Sequence, residues 1–240
     1  MYQKLLTIYG RKPVIEALED NSLEIFKLHL SNSNKQTKEI KKILSLAKKR
    51  QIPIIYYSKR ELSFISKNSK QDQGVALDIK MKNFLLEEEF LKEKKDFRVL
   101  AVDKVTNPQN LGLIIRSATA GNIDALIISQ GSAPIASPLT IKASTGTIFK
   151  LPIIKSKNLL ETLKNFKKEN STIFTLSSHA KESYKNINYP LKSIFVLGNE
   201  TFGVSEEIEE ISDKKILIPM NRGVESLNVA MSATLIAFLD

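Results

Sequence analysis

The chain contains no cysteine, which excludes disulfides, thiolate metal sites, iron–sulfur clusters and every mechanism built on a cysteine nucleophile. Histidine is almost as scarce. His29 and His179 are too few for a histidine-rich metal centre, so no metal is expected and neither is given a role. No apolar run approaches the ~20 residues needed to cross a bilayer. The opening MYQKLLTIYGRKP also lacks the apolar core of a signal peptide, so a cytoplasmic protein without a membrane partner is expected. The pattern GxG occurs nowhere and there is no Walker loop, which disfavours a Rossmann-type dehydrogenase or methyltransferase.

What the chain does have is lysine. Its 240 residues include 36 Lys/Arg against 26 Asp/Glu, a formal net charge of +10. The excess is local: 17 cationic against 8 acidic residues up to position 82, and 19 against 18 beyond it. Clustered cations release counterions from a phosphate backbone, so the asymmetry points to a polyanionic partner. Genome base bias and plain surface solvation also enrich lysine, so charge by itself favours nucleic acid only modestly. With 42% hydrophobic residues the chain can fill one large core or two small ones.

Periodicity divides it. A helix near Lys12–Glu19, a strand Ile25–Leu30, a helix Thr37–Lys49 and strands Ile52–Tyr57 and Gly74–Ile79 make a small α/β domain over residues 1–80. Residues 81–96, where charge dominates and changes sign rapidly, read as a linker. Residues 97–240 carry short β-branched strands at Val99–Asp103, Ala125–Ser129, Thr172–Leu176, Ile194–Leu197 and Lys215–Ile218, each followed by a turn or helix signal. That alternation implies a largely parallel, helix-covered sheet.

Three segments of this second domain carry polar residues where a structural reading is least satisfying. In NPQNLGLIIRSATAGN, residues 107–122, Asn110 reads as a helix N-cap, and Gly112 permits close backbone approach. Arg116 follows one turn later among apolar neighbours, where a buried guanidinium would need a partner; a structural salt bridge is the plain alternative to a site. In FVLGNETFGVSEE, residues 195–207, a buried strand ends in Gly198 and turns through Glu200 and Gly203, at the carboxyl end where parallel sheets bind ligands. In ILIPMNRGVESLNVAMSATLIAFL, residues 216–239, Ser226, Leu227 and Asn228 open an apolar helix. Ser226 could be its cap and Leu227 core, whereas Asn228 is harder to dismiss as structural.

In this order and spacing the segments resemble the three signature motifs of the SpoU/TrmH family of RNA ribose 2′-O-methyltransferases. Asn110, Gly112 and Arg116 match N-x-G-x-x-x-R; Gly198, Glu200 and Gly203 match G-x-E-x-x-G; Ser226, Leu227 and Asn228 match the third motif. KASTGTIFKLPI is similar to the family's small-residue stretch before a strand. IYGRKPVIEAL and QDQGVAL resemble the opening and close of the ribosomal protein L30e-like RNA-binding domain of the family's ribosomal RNA guanosine methyltransferases, with Lys12 where histidine is usual.

The resemblance implies an α/β fold with a C-terminal parallel-sheet SPOUT domain, tied in a deep trefoil knot. It implies S-adenosylmethionine as methyl donor in a pocket around Leu176, Gly198, Ile218 and Leu227, and a homodimer with its sites near the interface, the stretch Leu227–Leu239 burying surface against a second copy. The partner is RNA, not DNA. A guanosine of 23S ribosomal RNA is the favoured target, with transfer RNA or a non-catalytic RNA-binding role as alternatives. Catalysis falls to Arg116, read here as holding a phosphate and stabilising the developing alkoxide, the family's general-base assignment being the alternative. Asn110, Glu200, Ser226 and Asn228 would orient the ribose, Arg116 and each other.

Overall fold

The structure, a computed structural model, describes residues 5–239; residues 1–4 and 240, at the outer ends of the two expected domains, lie outside it. In chain order the first elements are β1 (Leu5–Tyr9), α1 (Arg11–Glu19), β2 (Ile25–Ser31), α2 (Lys38–Lys49), β3 (Ile54–Tyr57), α3 (Lys59–Ser66) and β4 (Val75–Lys80). There follow β5 (Phe84–Leu85), α4 (Glu87–Glu93), β6 (Phe97–Val102), α5 (Pro108–Ala120), β7 (Ala125–Ser129), α6 (Pro138–Ser144), β8 (Ile153–Ser156) and α7 (Leu159–Lys168). The last are β9 (Thr172–Leu176), β10 (Glu182–Ser183), β11 (Lys192–Leu197), α8 (Glu206–Ile211), β12 (Lys214–Leu217) and α9 (Val229–Ala237). Two compact units result: one runs to Lys82 and includes Ala136–Lys142, and the other comprises Asn83–Ile135 and the chain from Ala143 onward.

The first unit is built on a four-stranded mixed sheet in the order β1-β4-β2-β3, with β2 and β3 parallel and the other pairs antiparallel. α2 is held by an apolar stripe, Ile40, Ile43 and Ala47, and starts where the Thr37 hydroxyl accepts from the Ile40 amide. The Arg50 guanidinium donates to the carbonyls of Leu18 and Asp20, satisfying backbone oxygens at the C-terminal end of α1. Elements β1 and α3 are absent from the sequence reading.

The second unit holds an eight-stranded sheet, β10-β12-β9-β11-β6-β7-β8-β5, in which every strand pair is parallel. Its central strands are apolar along their length, Val99 to Val102 and Ile194 to Leu197 all being buried, as both-face coverage by helices requires. The α/β class and the parallel sheet agree with the expectation from sequence.

The segment 81–96 differs from its reading as a linker. It supplies β5, paired with β8, and α4, whose Phe90 is 1% exposed and packs against Phe97 and Phe166 with ring centroids 5.4 and 6.0 Å apart. Its charges decorate one side of a short helix; the lone aromatic on the other side anchors it, and periodicity over seven residues is too brief to reveal that.

Candidate active site

Strands β12, β9 and β11 are neighbours, and their registers set Ile216 beside Leu176 and Val196 beside Thr175, so their carboxyl ends lie together. The loops that leave those ends enclose a cavity of about 650 Å³, within the ~300–1,000 Å³ usual for small-molecule sites. Leu176, Gly198, Ile218 and Leu227 all line it, as do Glu200, Ser226 and Asn228. His179 and Phe202 also line it, and the sequence reading gave neither a role.

The turn carrying Glu200 is rigid for identifiable reasons. Asn199 and Gly203 exchange two backbone hydrogen bonds of 2.9 Å, and the Asn199 side-chain oxygen accepts from the Thr201 amide at 2.8 Å. The Asn199 side-chain amide donates to the Lys104 carbonyl at 2.8 Å, tying the turn to the loop after β6. Glycine is required at both ends: a Cβ on Gly198 would lie 1.9 Å from the Gly203 carbonyl carbon, and Gly203 has φ 73°. Below the turn, the buried Asp103 carboxylate accepts from the Ser205 amide at 2.9 Å, at the N-terminus of α8.

Two helix starts differ from the sequence reading. Asn107, not Asn110, caps α5, its side-chain oxygen accepting from the Gln109 amide at 2.9 Å, with Pro108 in the first turn. Asn228, not Ser226, caps α9, accepting from the Ala230 amide at 2.8 Å. Asn110, one turn inside α5 and 8% exposed, is thereby free to make side-chain contacts. Its amide donates to the Glu200 carboxylate at 2.7 Å, and its oxygen accepts from the Asn228 amide at 3.2 Å.

The polarity of this chain follows from one fixed donor. The Ala230 backbone N–H can only donate, so the Asn228 oxygen faces it, the Asn228 amide faces the Asn110 oxygen, and the Asn110 amide faces Glu200. Residues 90 and 118 positions apart in sequence thus form one network at the cavity wall. The wall also carries carboxylates: it includes Glu200, Glu225 and Glu209, the last paired with Lys215, and, among the described residues, no Lys or Arg lines it.

Arg116 lies elsewhere. It is exposed on α5, is not part of the cavity wall, and makes no ion pair among the described residues. α5 packs on α9, where the Ser117 and Thr234 hydroxyls meet at 2.7 Å. Exposed on this helix pair or at its end are Leu113, Met231, Leu235 and Phe238, the last three falling within the stretch 227–239.

A parallel α/β sheet whose adjacent strands open into one acidic cavity, bordered by an amide–carboxylate network, defines a small-molecule-dependent α/β enzyme. The profile of the SpoU rRNA methylase family matches residues 98–238, and that of the RNA 2′-O ribose methyltransferase substrate-binding domain matches residues 7–85. The chain therefore belongs to the SpoU rRNA methylase family of RNA methyltransferases. A Staphylococcus aureus (strain COL) protein assigned to the TrmH family of tRNA/rRNA methyltransferases is 30% identical over 235 residues, covering 96% of this chain and 93% of the relative. Among solved structures, the SpoU methyltransferase AviRb from Streptomyces viridochromogenes, in complex with AdoMet, aligns over 96% of this chain and 87% of its own with TM-score 0.70 and 23% identity. The A. aeolicus TrmH/SpoU tRNA modifying enzyme aligns over 64% of this chain and 81% of its own with TM-score 0.53 and 31% identity.

Proposed function

We propose that this chain transfers a methyl group from S-adenosylmethionine to the 2′-hydroxyl of a ribose in RNA, a guanosine of 23S ribosomal RNA being the favoured target. The observation that carries this reading is the Glu200–Asn110–Asn228 network, which joins one residue from each of the three sequence motifs at the border of one cavity. The cavity suits the cofactor chemically. Leu176, Leu197, Ile218 and Leu227 offer apolar walls to an adenine, the loop backbone offers hydrogen bonds, and the carboxylates suit a cation. S-adenosylmethionine, when bound, supplies a methyl group activated on a positively charged sulfur.

The chain's own residues must hold the ribose and favour loss of a weakly acidic proton. Glu200 is positioned for the first task, its carboxylate fixed by Asn110 and its second oxygen left for a sugar hydroxyl. Ser226 and Asn228 line the same wall. Arg116, with a guanidinium that cannot readily accept a proton, is assigned to a phosphate and the developing alkoxide. Because Arg116 lies on the exposed side of α5, three residues after exposed Leu113, it serves the reaction through pairing of two copies across α5 and α9. The basic first unit, with 17 Lys/Arg against 8 Asp/Glu up to residue 82, grips the RNA.

A transfer RNA substrate is the second reading, favoured by the 31% identity to a tRNA modifying enzyme. Incubation with methyl-labelled S-adenosylmethionine and unmodified ribosomal or transfer RNA, followed by mapping of alkali-resistant linkages, tests both. Label at one ribosomal guanosine supports the first reading. Label in transfer RNA alone replaces the substrate, and label at alkali-sensitive positions overturns the ribose chemistry.

A further inference from the structure

Phe202 is 88% exposed, more than any other large apolar residue among the described residues. Its exposure is not that of a loose tip. The turn is closed by the Asn199–Gly203 backbone pair, and the Phe202 amide itself donates to the Asn199 side chain at 3.4 Å. The ring is therefore held by its backbone at the cavity rim, largely in solvent, two residues beyond Glu200. Nothing in the turn uses the side chain: its geometry depends on Asn199, Gly198 and Gly203, and a polar residue at 202 would leave those contacts intact. A phenyl ring left in water forgoes the gain of burial, so its presence calls for a partner that arrives from outside.

The partner is constrained by the neighbourhood. The ring is flat, uncharged and adjacent to the carboxylate that the reading above assigns to the ribose. A nucleotide whose sugar meets Glu200 has its base within a few ångströms of that sugar, and unpaired bases are held in proteins by stacking on aromatic side chains. We propose that Phe202 is the platform on which the target nucleobase stacks, a positioning residue that sets the 2′-hydroxyl over the cavity. The proposal rests on the RNA-ribose reading of the site. Stacking accepts any base, so Phe202 supplies affinity and orientation and leaves the choice of base to other contacts.

The chain contains no tryptophan, so Phe202→Trp installs a single fluorescent reporter at the rim. Its emission is expected to be quenched when substrate RNA is added to protein already saturated with S-adenosylmethionine. Phe202→Ala is expected to lower kcat/KM for RNA by about five- to hundredfold, the loss of one stacked base, and to change the cofactor Kd much less. Phe202→Tyr should rescue transfer, and Phe202→Leu should not. Unaltered kcat/KM in the alanine variant, full activity of the leucine variant, or no further quenching by RNA beyond that of cofactor alone would each overturn the proposal. Should the wild-type protein methylate no RNA, the functional reading fails separately, because RNA quenching of the reporter is read without turnover.

Discussion

Asn228 does two jobs with one side chain, and a single substitution separates them. Its oxygen caps α9 and its amide fixes the orientation of Asn110 against Glu200. Asn228→Asp keeps an oxygen for the Ala230 amide and places a carboxylate favourably at a helix N-terminus. It also removes the donor to Asn110 and turns that amide towards two competing carboxylates. Thermal stability is expected to hold within about 1 kcal/mol while turnover falls roughly tenfold; unchanged turnover would show that the network does not orient Glu200. In the first unit, Asp78 is buried, which by itself raises a carboxyl pKa, yet hydrogen bonds from His29 at 2.9 Å and Thr7 at 2.7 Å outweigh burial and hold it below the ordinary range. The unfolded state then binds more protons than the folded one below about pH 4, so this contribution is present above that range and is lost as the pH falls through the lowered value. Asp78→Asn is expected to flatten the acid limb of stability followed by circular dichroism. An unchanged limb would assign acid unfolding to other carboxylates.

Elements differ in how plainly the sequence announces them. The buried strands β6, β7, β9 and β11 are legible because an apolar run in a parallel sheet needs no alternation, and α2 because its stripe repeats over three turns. α3 carries a readable signal, the capping box in which Ser58 and Glu61 exchange hydrogen bonds of 2.8 and 3.2 Å, although its two turns are too short to display a period. The cavity residues were legible only through their spacing; the contacts that join Asn110, Glu200 and Asn228 depend on which strands become neighbours, and no local pattern encodes strand order. α4 marks the practical cost of such a miss. A truncated chain starting at residue 97 would lose β5 and the Phe90 ring, exposing an aromatic cluster, whereas one starting at Asn83 keeps them. The Asn83 version is expected to unfold cooperatively and the residue-97 version to aggregate or melt earlier, a loss of about 3–5 kcal/mol being usual for removal of a buried Phe. Equal melting of the two would return α4 to the status of a linker.

At the scale of the whole molecule, the charge imbalance and the exposed helix pair make separate claims. If the first unit grips RNA through its lysines, affinity should fall at least tenfold between roughly 50 and 200 mM salt, and alanine at its exposed lysines should flatten that slope. Salt-independent binding would move recognition away from phosphate. The second claim concerns two copies. Arg116 is outside the cavity wall of its own chain, beside an apolar face that includes Met231, 60% exposed, and Phe238, 56% exposed. If pairing across that face completes the site, Arg116→Ala and Glu200→Ala chains should each be inactive alone and active when mixed. A mixed pair joins the intact cavity of one chain to the intact Arg116 of the other. Random mixing makes half the pairs mixed, each with one working site of two, so roughly one quarter of wild-type turnover is expected. A silent mixture of folded, paired chains would place Arg116 in the service of its own chain's cavity. Charged substitutions at Met231 and Phe238 provide the companion measurement: if two copies complete the site, the variants should be monomers on size exclusion that still bind S-adenosylmethionine but transfer no methyl group.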